Sequence, residues 1–157
     1  MSSRAEVLAS KVEGANKALI AAIEGSSEDQ WKAGCADGEW SQGFAGYHAA
    51  NSIGFITGMV KGMTDGAAME PVHLADIDAM NAQSHSEHAN CTKAEALDLA
   101  RTNSPMAVAM VRGLSDEQLD RKAKLALELP EMTVEQVAEM LLVGHPAGHT
   151  ESIVKAR

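Results

Sequence analysis

Apolar residues recur at three- and four-residue spacing along much of the chain, which is the pattern of α-helices with one buried face. The first such stripe predicts a helix over residues 3–24, ended by Gly25, and consists of Leu8, Val12, Ala15, Leu19 and Ile23. A second stripe predicts a helix from Ser41 to about Lys61, whose expected buried face consists of Phe44, His48, Phe55 and Met59. Each stripe can bury one side of its helix against neighbouring helices.

The second half of the chain predicts further helices. Residues 74–90 are polar but compatible with a helix, and in the next helix, over residues 93–112, Pro105 is expected to cause a kink or a break. The last long helix begins after Thr133, and its inward face consists of Val137, Leu141, His145 and His149. No segment alternates as a strand does, so the predicted fold class is all-α, a four-helix bundle in a single domain over residues 1–157.

Four helix starts are marked by a Ser or Thr three residues before a Glu or Gln. In this arrangement each side chain satisfies a backbone N–H that the first turn of a helix leaves free. The four pairs are Ser27/Gln30, Thr92/Glu95, Ser115/Gln118 and Thr133/Gln136. The first pair predicts a short helix that carries Trp31.

Charge and composition exclude several classes of function. The 157 residues carry a formal net charge of -9 and no stretch rich in Lys and Arg, which argues against nucleic-acid binding. No apolar run is long enough to cross a bilayer, and the first residues lack the apolar segment of a signal peptide, so we expect a cytoplasmic protein without membrane contact. Cys35 and Cys91 lack the spacing of a redox or zinc motif and are expected to be reduced thiols.

His145 and His149 are the strongest candidates for chemistry. They lie four residues apart, so on a helix their side chains are separated by about 6 Å along the axis and can bind one metal ion. Pro146 stands where a zinc protease of the H-E-x-x-H type has its Glu, which excludes that class. The pair also continues an apolar stripe, where buried imidazoles need partners. The alternative is a chance pair of surface or core histidines.

His48 is the candidate third ligand, because it lies in the middle of a helix on an apolar face. Its alternative role is a core histidine bonded to a carbonyl. Three neutral imidazoles would suit one divalent ion, Zn²⁺, Ni²⁺, Mn²⁺ or Fe²⁺, with a position left for water. The remaining histidines, in polar surroundings, are expected to be exposed or in loops: His73, His85 and His88.

The order of these features resembles the DinB-like superfamily of metal-binding four-helix bundles, which includes YfiT-like proteins and mycothiol-dependent maleylpyruvate isomerases. The matching segments are GEWSQGFAGYH, DIDAMN and LLVGHPAGHTESI, and the resemblance covers residues 4–154. It implies an up-down-down-up bundle with a long crossover, often dimeric, and metal ligands at His48, His145 and His149. Pro146 departs from the family pattern and is expected to disturb the bond to the Leu142 carbonyl, so that the helix kinks or restarts there.

The resemblance also implies a class of reaction. Family members with known activity use a low-molecular-weight thiol, which predicts a metal-dependent, thiol-using transferase or isomerase that acts on a small molecule, as a homodimer. Hydrolysis through metal-bound water is a related possibility, with Asn81 or Glu151 as a polar helper. Two further alternatives are a non-catalytic, stress-associated metal-binding bundle and a helical dimer without metal. No catalytic side chain is identified from the sequence.

Overall fold

Helices account for most of the chain, as the spacing of apolar residues predicts. The computed structural model describes residues 2–157, and its helices are α1 Ser3–Glu24, α2 Glu28–Lys32, α3 Gln42–Thr64, α4 Leu74–His88, α5 Lys93–Arg112, α6 Asp116–Asp120, α7 Val134–Ala138 and α8 His145–Lys155. A π-helical turn, Glu139–Gly144, joins α7 to α8, so residues 134–155 form one continuous final helix. The all-helical fold class is confirmed.

The helix starts form where the capping pairs predict them. In all four pairs the Ser or Thr side chain accepts a bond from the third backbone N–H of the helix, and the Gln or Glu side chain bonds back to the cap residue. Ser2 and Ser41 cap α1 and α3 in the same way, without the reciprocal bond. Local sequence therefore sets most helix boundaries.

Two short strands were not expected from the sequence pattern. Lys122–Ala123 (β1) and Met132–Thr133 (β2) pair antiparallel in the connection between α6 and α7. With two residues each, they are too short to show the alternation of apolar and polar residues by which a strand is recognised. They fix the start of the final helix, since Thr133 both ends β2 and caps α7.

The bundle is built from α1, α3, α5 and the final helix. Both α1 and α3 pack against α5 on one side and against the final helix on the other. Arg4 near the start of α1 bonds to Glu135 near the start of the final helix, and Arg157 just after the final helix bonds to the Ala22 carbonyl, so these two helices run in the same direction.

The directions of α3 and α5 follow from contacts near their ends. Glu24 at the end of α1 pairs with Arg101, whereas Glu6 near its start pairs with Arg112, so α1 and α5 are antiparallel. Asn103 of α5 donates to the carbonyl of Ala50 in α3, and Cys91, just before α5, donates to the Gly43 carbonyl. The helices α3 and α5 therefore run in parallel.

Helix α3 has two distinct inward faces. Its core face is formed by the buried residues Ala49, Ile53, Ile56 and Val60. Phe44 and His48 lie on a second face, about a third to two-fifths of a turn away at the α-helical period. The prediction that Phe55 is buried with them is wrong, since its side chain is 65% exposed. Phe55 continues the second face nearly two turns beyond His48, where nothing covers it.

The buried stripe of α1 differs from the prediction at one position. Leu8, Val12, Leu19 and Ile23 are buried as expected. Ala15 is only half-buried, and Asn16 takes the central position with 1% of its surface exposed. Residue type alone favours alanine over asparagine as a core residue, but the helix places Asn16 on its buried face.

The final helix stays continuous at Pro146, which lacks a backbone N–H, and the expected restart does not occur. The backbone N–H of His145 bonds to the Met140 carbonyl, five residues back, so a wider π-helical turn leads into the proline. The π turn adds one residue to the repeat, so that Leu142 rather than the predicted Leu141 is fully buried.

Pro105 does not interrupt α5, so of the expected kink or break the break does not occur. Pro105 is exposed. Because it has no N–H, the carbonyl of Arg101, four residues before it, lacks its usual helical donor, and Arg101 is exposed as well. Water can hydrate that carbonyl, which makes the proline tolerable on the outer side of the helix. Among residues 2–157, no helix combines the length and the apolar character needed to cross a membrane.

The two glycines Gly43 and Gly58 of α3 give a matched test of the packing between α2 and α3. A Cβ added at Gly43 would lie 2.7 Å from Nε1 of Trp31 and 2.8 Å from its carbonyl oxygen, whereas nothing lies within 4 Å of one at Gly58. We expect Gly43→Ala to lower the free energy of unfolding by about 1–3 kcal/mol. Gly58→Ala should raise it by about 0.5–1 kcal/mol, since it stiffens the helix. Urea unfolding of both variants checks this, and equal effects would contradict the close contact.

Candidate metal centre

Three histidine side chains converge between α3 and α8. His48 comes from α3, while His145 and His149 lie one turn apart at the start of α8. The Nε2 atom of His145 is 3.2 Å from Nε2 of His48 and 3.3 Å from Nε2 of His149. The three residues that the sequence selects as a ligand set are therefore brought together, and they can hold a metal ion.

The spacing of the three nitrogens fits a single divalent ion. Bonds of 2.0–2.1 Å from zinc to histidine nitrogens at tetrahedral angles place the nitrogens roughly 3.3 Å apart. Hydrogen bonding alone does not explain the group, because Nε2 of His145 faces two other Nε2 atoms and a neutral imidazole has one proton or one lone pair there. The donor set, three neutral nitrogens, suits a borderline ion such as Zn²⁺ or Ni²⁺.

Burial keeps the three histidines uncharged. Loss of hydration lowers the pKa of His48 to about 4 and that of His145 to about 3, with a smaller contribution from the neighbouring histidines. Burial also lowers the pKa of His149, while the nearby carboxylates of Asp37 and Glu39 act in the opposite direction. At neutral pH each imidazole can thus offer a lone pair to a metal ion without first losing a proton.

Trp40 covers one side of the histidine group. Its ring lies 4.9 Å from that of His48 and stacks at 5.8 Å, nearly parallel, on that of His149. An edge contact at 4.8 Å with Phe44 of α3 fixes the indole from another direction. Trp40 therefore excludes water from this side and holds two of the three imidazoles in place.

The loop that carries Trp40 is tied to α8. The N–H of Cys35 donates to the Trp40 carbonyl, and the hydroxyl of Ser152 donates to the carboxylate of Asp37 at 2.8 Å. Gly38 adopts a φ of 77°, which favours glycine at this turn. The carboxylate of Asp37 is thereby held near His149, where negative charge would favour a bound cation.

His85 is not simply exposed, as the sequence suggested. Its ring is half-buried on α4, stacked on Trp40 at 6.3 Å and in edge contact with Phe44 at 4.7 Å. His88, one turn later, stacks on Tyr47 of α3 at 4.7 Å. Phe44 and Tyr47 in α3 have the same i, i+3 spacing as His85 and His88 in α4. This match is a sequence signal that could have indicated the contact.

No hydrogen bond or ion pair joins the other candidate side chains to the three imidazoles. Glu151 is exposed and paired with Lys155, so it does not serve as a helper at the site. Asn81 is half-buried on α4, and its role as a helper stays a prediction. His73 pairs with Glu128 at the surface. A groove between α1 and α7 is charged, but its ion pair of Arg4 with Glu135 leaves no reactive group free.

Both cysteines are free thiols, as the sequence predicts. Burial raises the pKa of Cys91 to about 11 and also raises the pKa of Cys35. Thiols of this kind remain protonated at neutral pH and are poor nucleophiles. The protein's own cysteines are therefore unsuited to attack a substrate.

Comparison with known proteins agrees with the arrangement of the site. No curated protein and no solved structure gave a significant match. The family model described as DinB superfamily matches residues 12–153, a segment that covers most of the chain and includes all three histidines. The chain belongs to the DinB superfamily.

Proposed function

We propose that this chain is a metal-dependent transferase or isomerase that uses a low-molecular-weight thiol. One divalent ion is held by His48, His145 and His149. The observation that carries the proposal is the convergence of three uncharged imidazoles. Nε2 of His145 lies 3.2 Å from Nε2 of His48 and 3.3 Å from Nε2 of His149.

The number of ligands favours a reactive site over a purely structural one. Among residues 2–157, the group of potential ligands has three members, and no fourth His, Cys, Asp or Glu joins it. Structural zinc sites have four protein ligands, whereas catalytic sites have three and keep one position for water or substrate. A position therefore remains for an exogenous ligand.

The thiol itself would come from a cosubstrate. A bound divalent ion lowers the pKa of a coordinated thiol or water, so that an anion is present at neutral pH. The raised pKa values of Cys35 and Cys91 argue that the nucleophile is not a cysteine of this chain.

The alternative proposal is a non-catalytic, stress-associated metal-binding bundle. It is favoured by the origin of the ligands, because an ion bound by His48 of α3 and by two residues of α8 would tie two helices together. Hydrolysis through bound water would need the same three ligands.

We also propose a cytoplasmic homodimer that acts on a small molecule, as the family resemblance implies. Two surface features support self-association. Helix α4 has no buried residue, and Phe55 and Met80 are 65% and 55% exposed. Exposed apolar side chains of this kind are common where subunits meet.

Metal content tests the ligand assignment. We expect one bound divalent ion per chain after reconstitution, and loss of stoichiometric binding in His48→Ala and His145→Ala, because two imidazoles retain an ion poorly. His85→Ala is the matched control and should keep the ion, since His85 contacts Trp40 rather than the other histidines. Mass spectrometry of the dialysed proteins measures the content. Equal losses in all three variants would refute the assignment.

Thiol binding separates the enzyme from the structural bundle. We expect the Co²⁺-loaded protein to develop a sulfur-to-cobalt charge-transfer absorption when glutathione or cysteine is added, because one coordination position is open to solutes. His145→Ala serves as the control and should show no such band. A cobalt spectrum that no thiol changes would favour the non-catalytic alternative.

The stability of the metal-free protein should depend on pH. Histidines with lowered pKa values in the folded state stay neutral while those of the unfolded chain, with an ordinary pKa near 6.5, take up protons. Their contribution is complete above pH 6.5 and is lost as the pH falls toward 4. We expect a loss of about 1.4 kcal/mol per pH unit for each affected histidine.

Chemical unfolding of the metal-free protein between pH 7.5 and pH 4.5 measures this dependence. His145→Leu removes one buried imidazole and should flatten the curve. His73→Ala is the control for a histidine outside the group: Glu128 raises the pKa of His73, so its loss should make the curve steeper instead. An unchanged slope in His145→Leu would contradict the burial argument.

A further inference from the structure

The centre of helix α1 holds a polar side chain that core packing does not explain. Asn16 is 1% exposed, and neither its Oδ1 nor its Nδ2 has a hydrogen-bond partner in the protein. A buried amide without partners is costly, and an apolar residue of similar size would fill the same space at no such cost. Its position in an otherwise apolar stripe therefore calls for a partner.

His145 has a matching unsatisfied atom. Its Nε2 faces the other two imidazoles, while its Nδ1 is buried and has no hydrogen-bond partner in the protein. Histidines that bind metals almost always donate the proton of the second ring nitrogen to an acceptor, which fixes the ring and its tautomer. The proposed metal ligand His145 therefore still needs an acceptor for the hydrogen bond of its Nδ1–H.

The register of two helices places these groups at the same level. Lys11 pairs with Glu139, and Ala22 packs in one cluster with Ile153, so α1 and the final helix run side by side between these contacts. Asn16 lies five residues after Lys11 and six before Ala22. His145 lies six residues after Glu139 and eight before Ile153, so it also falls midway between the same two contacts.

A third unsatisfied group comes from α5. Ser104 is 9% exposed, and its hydroxyl has no hydrogen-bond partner in the protein. Helix α5 runs antiparallel to α1, with Glu6 opposite Arg112 and Glu24 opposite Arg101, which puts Ser104 close to the level of Asn16. Three helices thus turn unsatisfied polar atoms toward the interior at similar height.

We propose that Asn16 is a positioning residue for the metal ligand His145, acting through one buried water that Ser104 also contacts. Since Asn16 and Nδ1 of His145 have no direct partner, a bridging molecule is needed, and a buried water requires two to four polar neighbours, which these groups supply. The water accepts a hydrogen bond from Nδ1–H of His145 and donates one to Oδ1 of Asn16. The inference rests on the proposed metal site.

Replacement of Asn16 by leucine tests the role. If the amide positions His145, Asn16→Leu should weaken zinc binding about 10- to 100-fold, the usual cost of losing an outer partner of a ligand. The melting temperature of the metal-free variant should stay equal or rise, since a buried polar group is replaced by an apolar one. Competition with a coloured chelator measures the affinity. Asn16→Ala, which adds no bulk, decides the case if the leucine variant does not fold.

Thr57→Val is the matched control. Thr57 is also buried, but its hydroxyl donates to the Ile53 carbonyl of its own helix, so its loss should leave zinc affinity unchanged. Nuclear magnetic resonance of ¹⁵N-histidine-labelled protein gives an independent reading. In the zinc-loaded wild type the Nδ1–H of His145 should be protected from solvent exchange, and in Asn16→Leu this protection should be lost.

The outcomes separate this inference from the proposed function. Equal zinc affinity in wild type and the folded Asn16 variants would overturn the role of Asn16 and leave the metal site intact. Equal weakening in Thr57→Val would overturn it as well, since any disturbance of the core would then have the same effect. Absence of zinc binding in the wild type would refute the metal site itself.

Discussion

The burial of three uncharged imidazoles between α3 and α8 is the constraint on which the site depends. Buried histidines without partners destabilise a fold, and here their Nε2 atoms point at one another. The surrounding elements keep this arrangement in place. Trp40 packs against His48 and His149, and Ser152 holds the loop of Trp40 against α8. Two of the five Trp, Tyr and Phe residues of the chain, Trp40 and Phe44, lie against the histidine group.

Local signals predicted the fold class and the helix boundaries. A capping pair such as Ser27 with Gln30 acts through its own backbone, so its effect can be read without knowledge of the rest of the fold. The exposure of Phe55 could not be predicted in this way. Its spacing matches the face of Phe44 and His48, but burial depends on which neighbouring element reaches that far, and no element does.

The three histidines of the candidate site were predicted to share one place, but their surroundings were not. The i, i+4 spacing of His145 and His149 predicts a shared face because helix geometry fixes it, and His48 was selected because it lies on an apolar helix face. The place of His85 against Trp40 depends on how α4 lies across α3, which is a tertiary property. Asn16 was not predicted as a functional residue for the same reason, because the role of a buried amide depends on its neighbours on other helices.

The π-helical turn Glu139–Gly144 keeps the histidines of the final helix on nearly the same side as its core residues. A turn with one extra residue rotates everything after it by roughly 100° about the helix axis, compared with an uninterrupted α-helix. In an uninterrupted α-helix, His145 would be turned about 80° away from the buried Val137, and the extra residue reduces this offset to about 20°. The direction in which His145 meets His48 therefore depends on that extra residue. In this protein the site is specified by the count of residues between core and ligand as much as by the ligands themselves.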